Sequence, residues 1–236
     1  MPHSFPRFSE IRRHGQLAAW AWNPRHVADL VASRFTASLY MSQLTADFNS
    51  VPKTLEKLLG RGRKKLLVVA GFNGRFAKAI EKTGHDVLFT DANANWVKKA
   101  KKNGLRVTRA NAALIETDET FDAWITYEGN EAFEGQSGIL AMMRALSNSR
   151  QGLIYAKSSR NTDPYTPFLE FEKIEKTYGA KLKEKRAGPL VYYQLTAGSQ
   201  EKMRITEDLN AVKQFDKDPK FRLSKETQTR LNKLLK

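Results

Sequence analysis

The residues best suited to chemistry lie at the end of a short apolar run and twenty positions beyond it. The run, residues 66–70, is too short for a helix and contains β-branched side chains, which predicts a buried parallel strand. A turn with glycine at both ends follows, Gly71 to Gly74, and its backbone N–H groups can approach a ligand closely. Asp91 comes twenty positions after Gly71, at the spacing of a carboxylate that binds ribose. The turn and the acid together predict a site for a nucleotide or nucleoside cofactor.

A strand–helix–strand unit must position that turn and that acid. Residues 75–82 place Phe76, Ala77 and Ile80 on one side of a helix, and Gly84 stands where this helix would end. Residues 86–90 then form a second strand that leads into Asp91. The alternation continues, with helices predicted at 53–59, 95–102 and 138–146 and strands at 105–108, 121–126 and 153–156. This order predicts a mostly parallel sheet with helices on both faces.

The end of the chain departs from that alternation. Residues 164–178 carry apolar side chains at helical spacing, and two strands follow at 180–186 and 190–196. Only three residues join these two strands, so the pair must be antiparallel. We therefore expect an α/β fold whose mostly parallel sheet ends in an antiparallel C-terminal hairpin.

Composition excludes several classes of site. The chain of 236 residues has no cysteine, which excludes disulfides, cysteine-based metal sites and cysteine nucleophiles. The four histidines are scattered and form no ligand pattern, so no metal site is predicted. The longest apolar runs fall far short of the roughly 20 residues that a membrane span needs. The first residues contain no apolar stretch suited to a signal peptide. We expect a cytoplasmic protein without a membrane partner.

The net charge of +15 is concentrated toward the two ends of the chain. Residues 1–65 carry 11 Lys and Arg against 4 Asp and Glu, and residues 200–236 carry 10 against 6. Such an excess favours polyanionic partners, RNA first, because binding releases the counterions of the nucleic acid. The alternative is an ordinary solvated basic surface.

Three segments are expected along the chain. Residues 1–63 would form a helical N-terminal extension that packs on the domain, 64–198 the α/β domain, and 199–236 a basic C-terminal extension. In that last segment, residues 218 and 219 mark a break between helical parts. Leu223, Leu231, Leu234 and Leu235 would dock either on the body or on a partner.

The layout of residues 64–197 resembles the Rossmann-like, class I S-adenosylmethionine (SAM)-dependent methyltransferases, and its motifs match in order. Residues 67–74 stand where that family has its glycine-rich first motif, and residues 84–91 resemble its second strand with the terminal acid. Residues 109–112 are similar to the short segment that contacts adenine. Residues 121–126 and 152–156 resemble the fourth and fifth strands.

The resemblance implies a cofactor and a set of residues that hold it. The cofactor would be SAM, with the carboxylate of Asp91 on the ribose hydroxyls. Tyr127 and Glu128 would border the methyl acceptor, with Glu128 as the proton acceptor. The implied cofactor-binding residues are Gly71, Phe72, Asn73, Gly74, Asp91, Ala92, Asn111, Ala112 and Tyr127.

The first motif departs from the family pattern in two ways. The acid that usually stands two residues before the first glycine is replaced by Val69, and the Gly-x-Gly-x-Gly pattern has become Gly71-Phe72-Asn73-Gly74-Arg75. The Asp/Asn-Pro-Pro-aromatic motif of methyltransferases that act on amino groups of nucleic-acid bases is absent. Two alternatives therefore remain beside the enzyme: a catalytically silent methyltransferase-like module that binds RNA or protein, and a domain that binds the dinucleotide NAD.

Overall fold

The structure is a computed structural model that describes residues 51–70, 74–115, 117, 119–127, 130–133, 135–158, 168–187, 190–218 and 220–235. The predicted N-terminal extension up to residue 50 lies outside the described residues. The same is true of four predicted site residues, Gly71, Phe72, Asn73 and Glu128.

Helices and strands alternate along the described chain as predicted. The first half contains α1 (Val51–Leu59), β1 (Lys65–Val69), α2 (Arg75–Glu81), β2 (Asp86–Asp91), α3 (Ala94–Lys102), β3 (Arg106–Arg109) and a short 3₁₀ helix (Ala112–Leu114). The second half contains β4 (Ala123–Tyr127), α4 (Asn130–Phe133), α5 (Gly135–Ser147), β5 (Leu153–Ser158), α6 (Phe168–Tyr178), β6 (Lys181–Ala187), β7 (Leu190–Thr196), α7 (Ser199–Lys217) and α8 (Lys225–Leu235).

The seven strands form one sheet in the order β3-β2-β1-β4-β5-β7-β6. The pairs among β1 to β5 are parallel, because a helix or a long connection returns the chain between them. β7 runs antiparallel to both β5 and β6 and inserts between them. The predicted fold class, a mostly parallel sheet with an antiparallel C-terminal hairpin, is confirmed.

The sheet separates two apolar layers. Side chains alternate along β1, so that Leu66 and Val68 face one layer while Leu67 and Val69 face the other. Helices α1, α2 and α3 cover the first layer. Helices α5 and α6 cover the second, together with apolar side chains of α7 and α8. Strands that are buried on both faces are typical of parallel sheets, which explains the unbroken apolar run in β1.

Several predicted boundaries were wrong by a few residues. Helix α5 begins at Gly135 rather than at residue 138, and α4 before it was not predicted. A side chain at Gly138 would place its Cβ 2.1 Å from the carbonyl carbon of Phe133, so glycine allows α4 to pack directly against α5. Helix α1 begins at Val51 rather than at residue 53, because proline is tolerated in a first helical turn.

The polar C-terminal segment docks on the body of the protein. Ile205 of α7 and Leu231 and Leu234 of α8 are buried in the second apolar layer, and Leu223 packs against it. The sequence predicted that these leucines dock either on the body or on a partner. In the structure, Leu223, Leu231 and Leu234 pack on the body. Within the described ranges, no helix combines the length and the apolar character that crossing a membrane requires.

Candidate functional site

The predicted site residues that the structure describes gather along one edge of the sheet. Parallel strands end at a common edge, and the register pairs Val69 of β1 with Thr90 of β2. It also pairs Asp91 of β2 with Arg109 of β3. Gly74 follows β1, Ala92 follows β2, Asn111 and Ala112 follow β3, and Tyr127 ends β4. In open α/β sheets, ligands bind at this carboxyl edge.

Asp91 stands at the centre of that edge and is half-buried. Its Oδ1 atom accepts a hydrogen bond of 2.8 Å from the backbone N–H of Asn93. The carboxylate therefore holds the turn after β2, the local role that a strand-terminal aspartate often has. A carboxylate has about four acceptor positions, so holding this turn is compatible with binding ribose hydroxyls. Ribose binding stays a prediction.

The loop after Asp91 is held in place by two further contacts. The carbonyl oxygen of Ala92 accepts a hydrogen bond of 3.3 Å from Nε of Arg109. The Asn93 side chain accepts from the N–H of Asn95 at 2.9 Å and so caps α3. The strand end, the loop and the helix start therefore form one hydrogen-bonded unit around the carboxylate.

The segment predicted to contact adenine has two residues in structural roles. Asn111 begins the 3₁₀ helix, and its Oδ1 accepts from the N–H of Ala113 at 2.9 Å. The side chain of Ala112 is buried in the second apolar layer. A contact of either residue with adenine stays a prediction.

The two described ends of the glycine turn have left-handed backbone conformations. Gly74 has φ 80°, and a Cβ there would lie 2.8 Å from both Ala100 Cβ and Leu105 Cδ1, so only glycine fits. Ala70 is the one described non-glycine residue with positive φ, at 49°. Gly71 and Asn73 lie outside the described residues, so the predicted alignment of the first motif, with Gly71 as its first glycine, stays a prediction.

Tyr127 lies in the core at the end of β4. Its side chain is 1% exposed, and its ring centroid is 5.2 Å from that of Phe76, at an interplanar angle of 35°. The ring belongs to the apolar layer under α1, α2 and α3. The predicted contact of Tyr127 with cofactor and acceptor is not tested by this packing and stays a prediction.

Thr126, which sequence reasoning missed, carries the more unusual side chain on β4. Its Oγ1 is fully buried and has no hydrogen-bond partner within the described part of the chain. Nε2 of Gln136, in the first turn of α5, is likewise buried without a hydrogen-bond partner among the described residues. A buried polar group without a partner costs about 1–3 kcal/mol and is uncommon. The sequence feature that could have identified Thr126 is the presence of a threonine in an otherwise apolar strand.

No metal centre is found among the described residues. No group of three or more histidine or acidic side chains is arranged there to hold an ion.

Comparison with known proteins gives structural neighbours only. No family model matches the sequence, and no curated protein matches it. A TehB-like SAM-dependent methyltransferase from Corynebacterium glutamicum is similar in structure, with TM-score 0.52, 18% identity, and coverage of 71% of this chain and 99% of that one. DesVI of Streptomyces venezuelae has TM-score 0.53, 11% identity, and coverage of 69% and 97%.

A third neighbour was crystallised with S-adenosylhomocysteine (SAH). Magnesium protoporphyrin IX methyltransferase from Synechocystis, with bound SAH, has TM-score 0.50, 11% identity, and coverage of 64% and 83%. At these identities the similarity concerns the fold alone. The chain has the Rossmann-like fold of the class I SAM-dependent methyltransferases.

Proposed function

We propose that this protein is a SAM-dependent methyltransferase whose cofactor lies at the carboxyl edge of β1, β2 and β4. One observation carries the proposal. Asp91 ends the second strand of a sheet with the order β3-β2-β1-β4-β5-β7-β6, and structural neighbours with this fold are SAM-dependent methyltransferases. The carboxylate of Asp91, held by this hydrogen-bonded unit, would bind the ribose of such a cofactor.

The bound cofactor would supply a methyl group that is already activated on sulfur. The chain then needs only to bind and orient the two reactants. Asp91 would accept hydrogen bonds from the ribose hydroxyls, and Gly74 allows the end of the turn after β1 to pack closely against Ala100 and Leu105. Glu128 would accept a proton from the acceptor, with Tyr127 beside it.

The two alternatives find different support. A dinucleotide-binding domain ends its parallel sheet with a sixth parallel strand, whereas β7 is antiparallel here, which argues against NAD. A silent module is favoured by the first motif, in which Val69 replaces the acid and Gly71-Phe72-Asn73-Gly74-Arg75 replaces Gly-x-Gly-x-Gly. Cofactor binding therefore decides between the enzyme and the silent module.

As methyl acceptor we propose RNA. The support is the net charge of +15 and its excess in residues 1–65 and 200–236. A polyanion would be attracted to such a surface, with an affinity that falls steeply with salt.

The cofactor site is tested by calorimetric titration of SAM and NADH into the wild-type chain and Asp91→Asn. Asparagine retains the Oδ1 acceptor for the turn but loses the charge that strengthens hydrogen bonds to ribose. We expect SAM binding in the wild type and about a 10- to 100-fold weaker affinity in the variant. NADH should not bind.

The matched control is Asp218→Asn. The Oδ1 of Asp218 accepts from the N–H of Lys220 at 2.9 Å, the same kind of turn in the segment between α7 and α8. This variant should bind SAM like the wild type. Equal losses in both variants, or a folded wild type that binds no SAM, would contradict the proposal. Binding of NADH alone would replace SAM with the dinucleotide.

A further inference from the structure

A concentrated basic surface lies on helix α3. Residues 92–115 contain six Lys and Arg and no Asp or Glu, whereas the whole chain has 40 Lys and Arg against 25 Asp and Glu. We call the four lysines of this helix the α3 lysines: Lys98, Lys99, Lys101 and Lys102. They lie within the α/β domain, away from the basic ends of the chain.

The helical geometry turns all four α3 lysines toward solvent. Ala100 is fully buried and anchors the inner side of α3 in the first apolar layer, while each of the four lysines is exposed. At 3.6 residues per turn these lysines occupy one continuous outward arc. Lys98 and Lys102 are about 6 Å apart along the axis, so the charges form a row rather than a single point.

No carboxylate of the described residues neutralises this row. None of the α3 lysines forms an ion pair there, and Lys99 instead places its Nζ 4.6 Å from the ring centroid of Trp96. Arg106 on the neighbouring strand differs, because Asp86 and Glu119 each lie 3.5 Å from its guanidinium. The uncompensated charge is therefore specific to the helix.

Helix stability does not account for the whole row. Lysines in a last turn interact favourably with the helix dipole, which explains Lys99, Lys101 and Lys102. Lys98 lies before that turn, so the helix dipole does not explain its charge. The charge thus covers the outer face of the second half of α3.

The apolar residues near this surface favour a nucleic acid over a membrane. A helix that binds a bilayer inserts large apolar side chains, but the inner side of α3 already packs on the sheet. The large hydrophobic side chains that are exposed in the described chain, Phe168, Leu169 and Met203, belong to α6 and α7. Trp96, half-buried beside Lys99, offers the kind of aromatic face on which bases stack.

We propose that the α3 lysines bind single-stranded RNA more strongly than the basic C-terminal extension does. The inference deepens the proposed function and rests on its RNA part alone. A strand bound there would lie on the second half of the helix that follows the Asp91 loop. The lysines would contact phosphates and Trp96 would contact a base.

The test measures binding of a fluorescently labelled oligouridylate by anisotropy at several salt concentrations, without SAM. One variant changes the α3 lysines to glutamine. The control changes Lys217, Lys220, Lys225 and Lys233, which are exposed on the C-terminal extension, to glutamine. Both remove four charges. We expect at least a ~10-fold loss of affinity in the α3 variant and less than a ~3-fold loss in the control.

The salt dependence gives a second readout. Each phosphate contact on a single strand contributes about 0.7 to the slope of log K against log salt, so the α3 variant should lose up to about 2.8 of that slope. Calorimetry should find its SAM affinity equal to that of the wild type, which separates this inference from the cofactor site. If the quadruple variant does not fold, the single charge reversal Lys98→Glu replaces it, with Lys217→Glu as control.

Three outcomes would overturn the inference. Equal losses of RNA affinity in the two variants would indicate that the net charge of the protein attracts the RNA, without a specific surface. A larger loss in the control would place RNA on the C-terminal extension. Binding of the wild type to vesicles of anionic phospholipid but not to RNA, with the vesicle binding lost in the α3 variant, would make the surface a membrane site.

Discussion

At the residue scale, the backbone of the glycine turn is the feature that departs most from expectation. Ala70 has a left-handed conformation, with φ 49°, directly after β1. This conformation costs a residue with a Cβ about 1–2 kcal/mol relative to its ordinary regions, whereas glycine adopts it freely. The alanine thus carries strain directly before the glycine turn.

Replacing that alanine by glycine should stabilise the protein. Ala70→Gly removes the strain. The greater conformational freedom of glycine in the unfolded chain offsets part of the resulting stabilisation. We expect a net stabilisation of about 1 kcal/mol and a rise in Tm of roughly 2–4 °C, measured by thermal unfolding.

The reverse substitution at a comparable site is its control. Gly60 has φ 77°, and a Cβ added there would meet no atom within 4 Å, so Gly60→Ala tests the backbone conformation without a clash. This variant should be destabilised by about 1 kcal/mol. A Tm that falls in Ala70→Gly would mean that the left-handed conformation at Ala70 is wrong.

At the element scale, a buried polar cluster joins the C-terminal helices to α6. Asp208 of α7 is fully buried, and its carboxylate accepts from Arg230 Nε at 2.7 Å and from a second Arg230 nitrogen at 2.6 Å. The Tyr178 hydroxyl donates to the same carboxylate at 2.9 Å. Burial, together with the charge of Asp208, raises the pKa of Tyr178 well above its ordinary value. Three helices thus meet at one satisfied carboxylate.

Removing that carboxylate should destabilise the protein strongly. Asp208→Ala leaves Arg230 without its partner in a mostly buried position, and breaking such a pair typically costs about 3–5 kcal/mol. Urea unfolding should therefore give a midpoint well below that of the wild type.

Glu207→Ala provides the control on the same helix. Glu207 is exposed, and changes at such positions usually stay within about 0.5 kcal/mol. The double variant Asp208→Ala with Arg230→Met should lose less than the two single variants combined, because the unpaired charge is gone. Additive losses would show that the two side chains do not stabilise each other.

At the scale of the whole molecule, nearly all of the described helices and strands contribute buried side chains to the two apolar layers. The second layer includes buried side chains from α7 and α8, Ile205, Leu231 and Leu234. Fully burying one aliphatic side chain contributes about 1.5–3 kcal/mol. Three of them approach the net stability of a typical domain, about 5–15 kcal/mol.

Truncation after residue 198 tests the predicted boundary of the α/β domain. The shortened chain loses those three side chains together with Asp208, and its second layer becomes exposed to water. We expect it to lack a cooperative unfolding transition in circular dichroism, in contrast to the full chain. A truncated chain with the same unfolding midpoint would establish 64–198 as a unit that is independent of the C-terminal helices.

The sequence by itself determined the order and kind of the elements, apart from the short α4. Continuous apolar runs identified the strands of the parallel part, helical periodicity identified its helices, and a connection of three residues required the antiparallel β6–β7 pair. These features depend on neighbouring residues, so they can be read from short stretches. Asp91 was identified in the same way, because its distance from the glycine turn is counted along the chain.

Only the tertiary structure decided the features that depend on distant residues. The pairing of Asp208 with Arg230 needs two helices folded against each other, and the state of Thr126 depends on what surrounds it in space. The left-handed conformation of Ala70 is a backbone angle, which residue types alone do not specify. That no carboxylate of the described residues pairs with the α3 lysines likewise depends on what the fold places beside the helix. Periodicity is local, whereas burial and pairing depend on the whole fold.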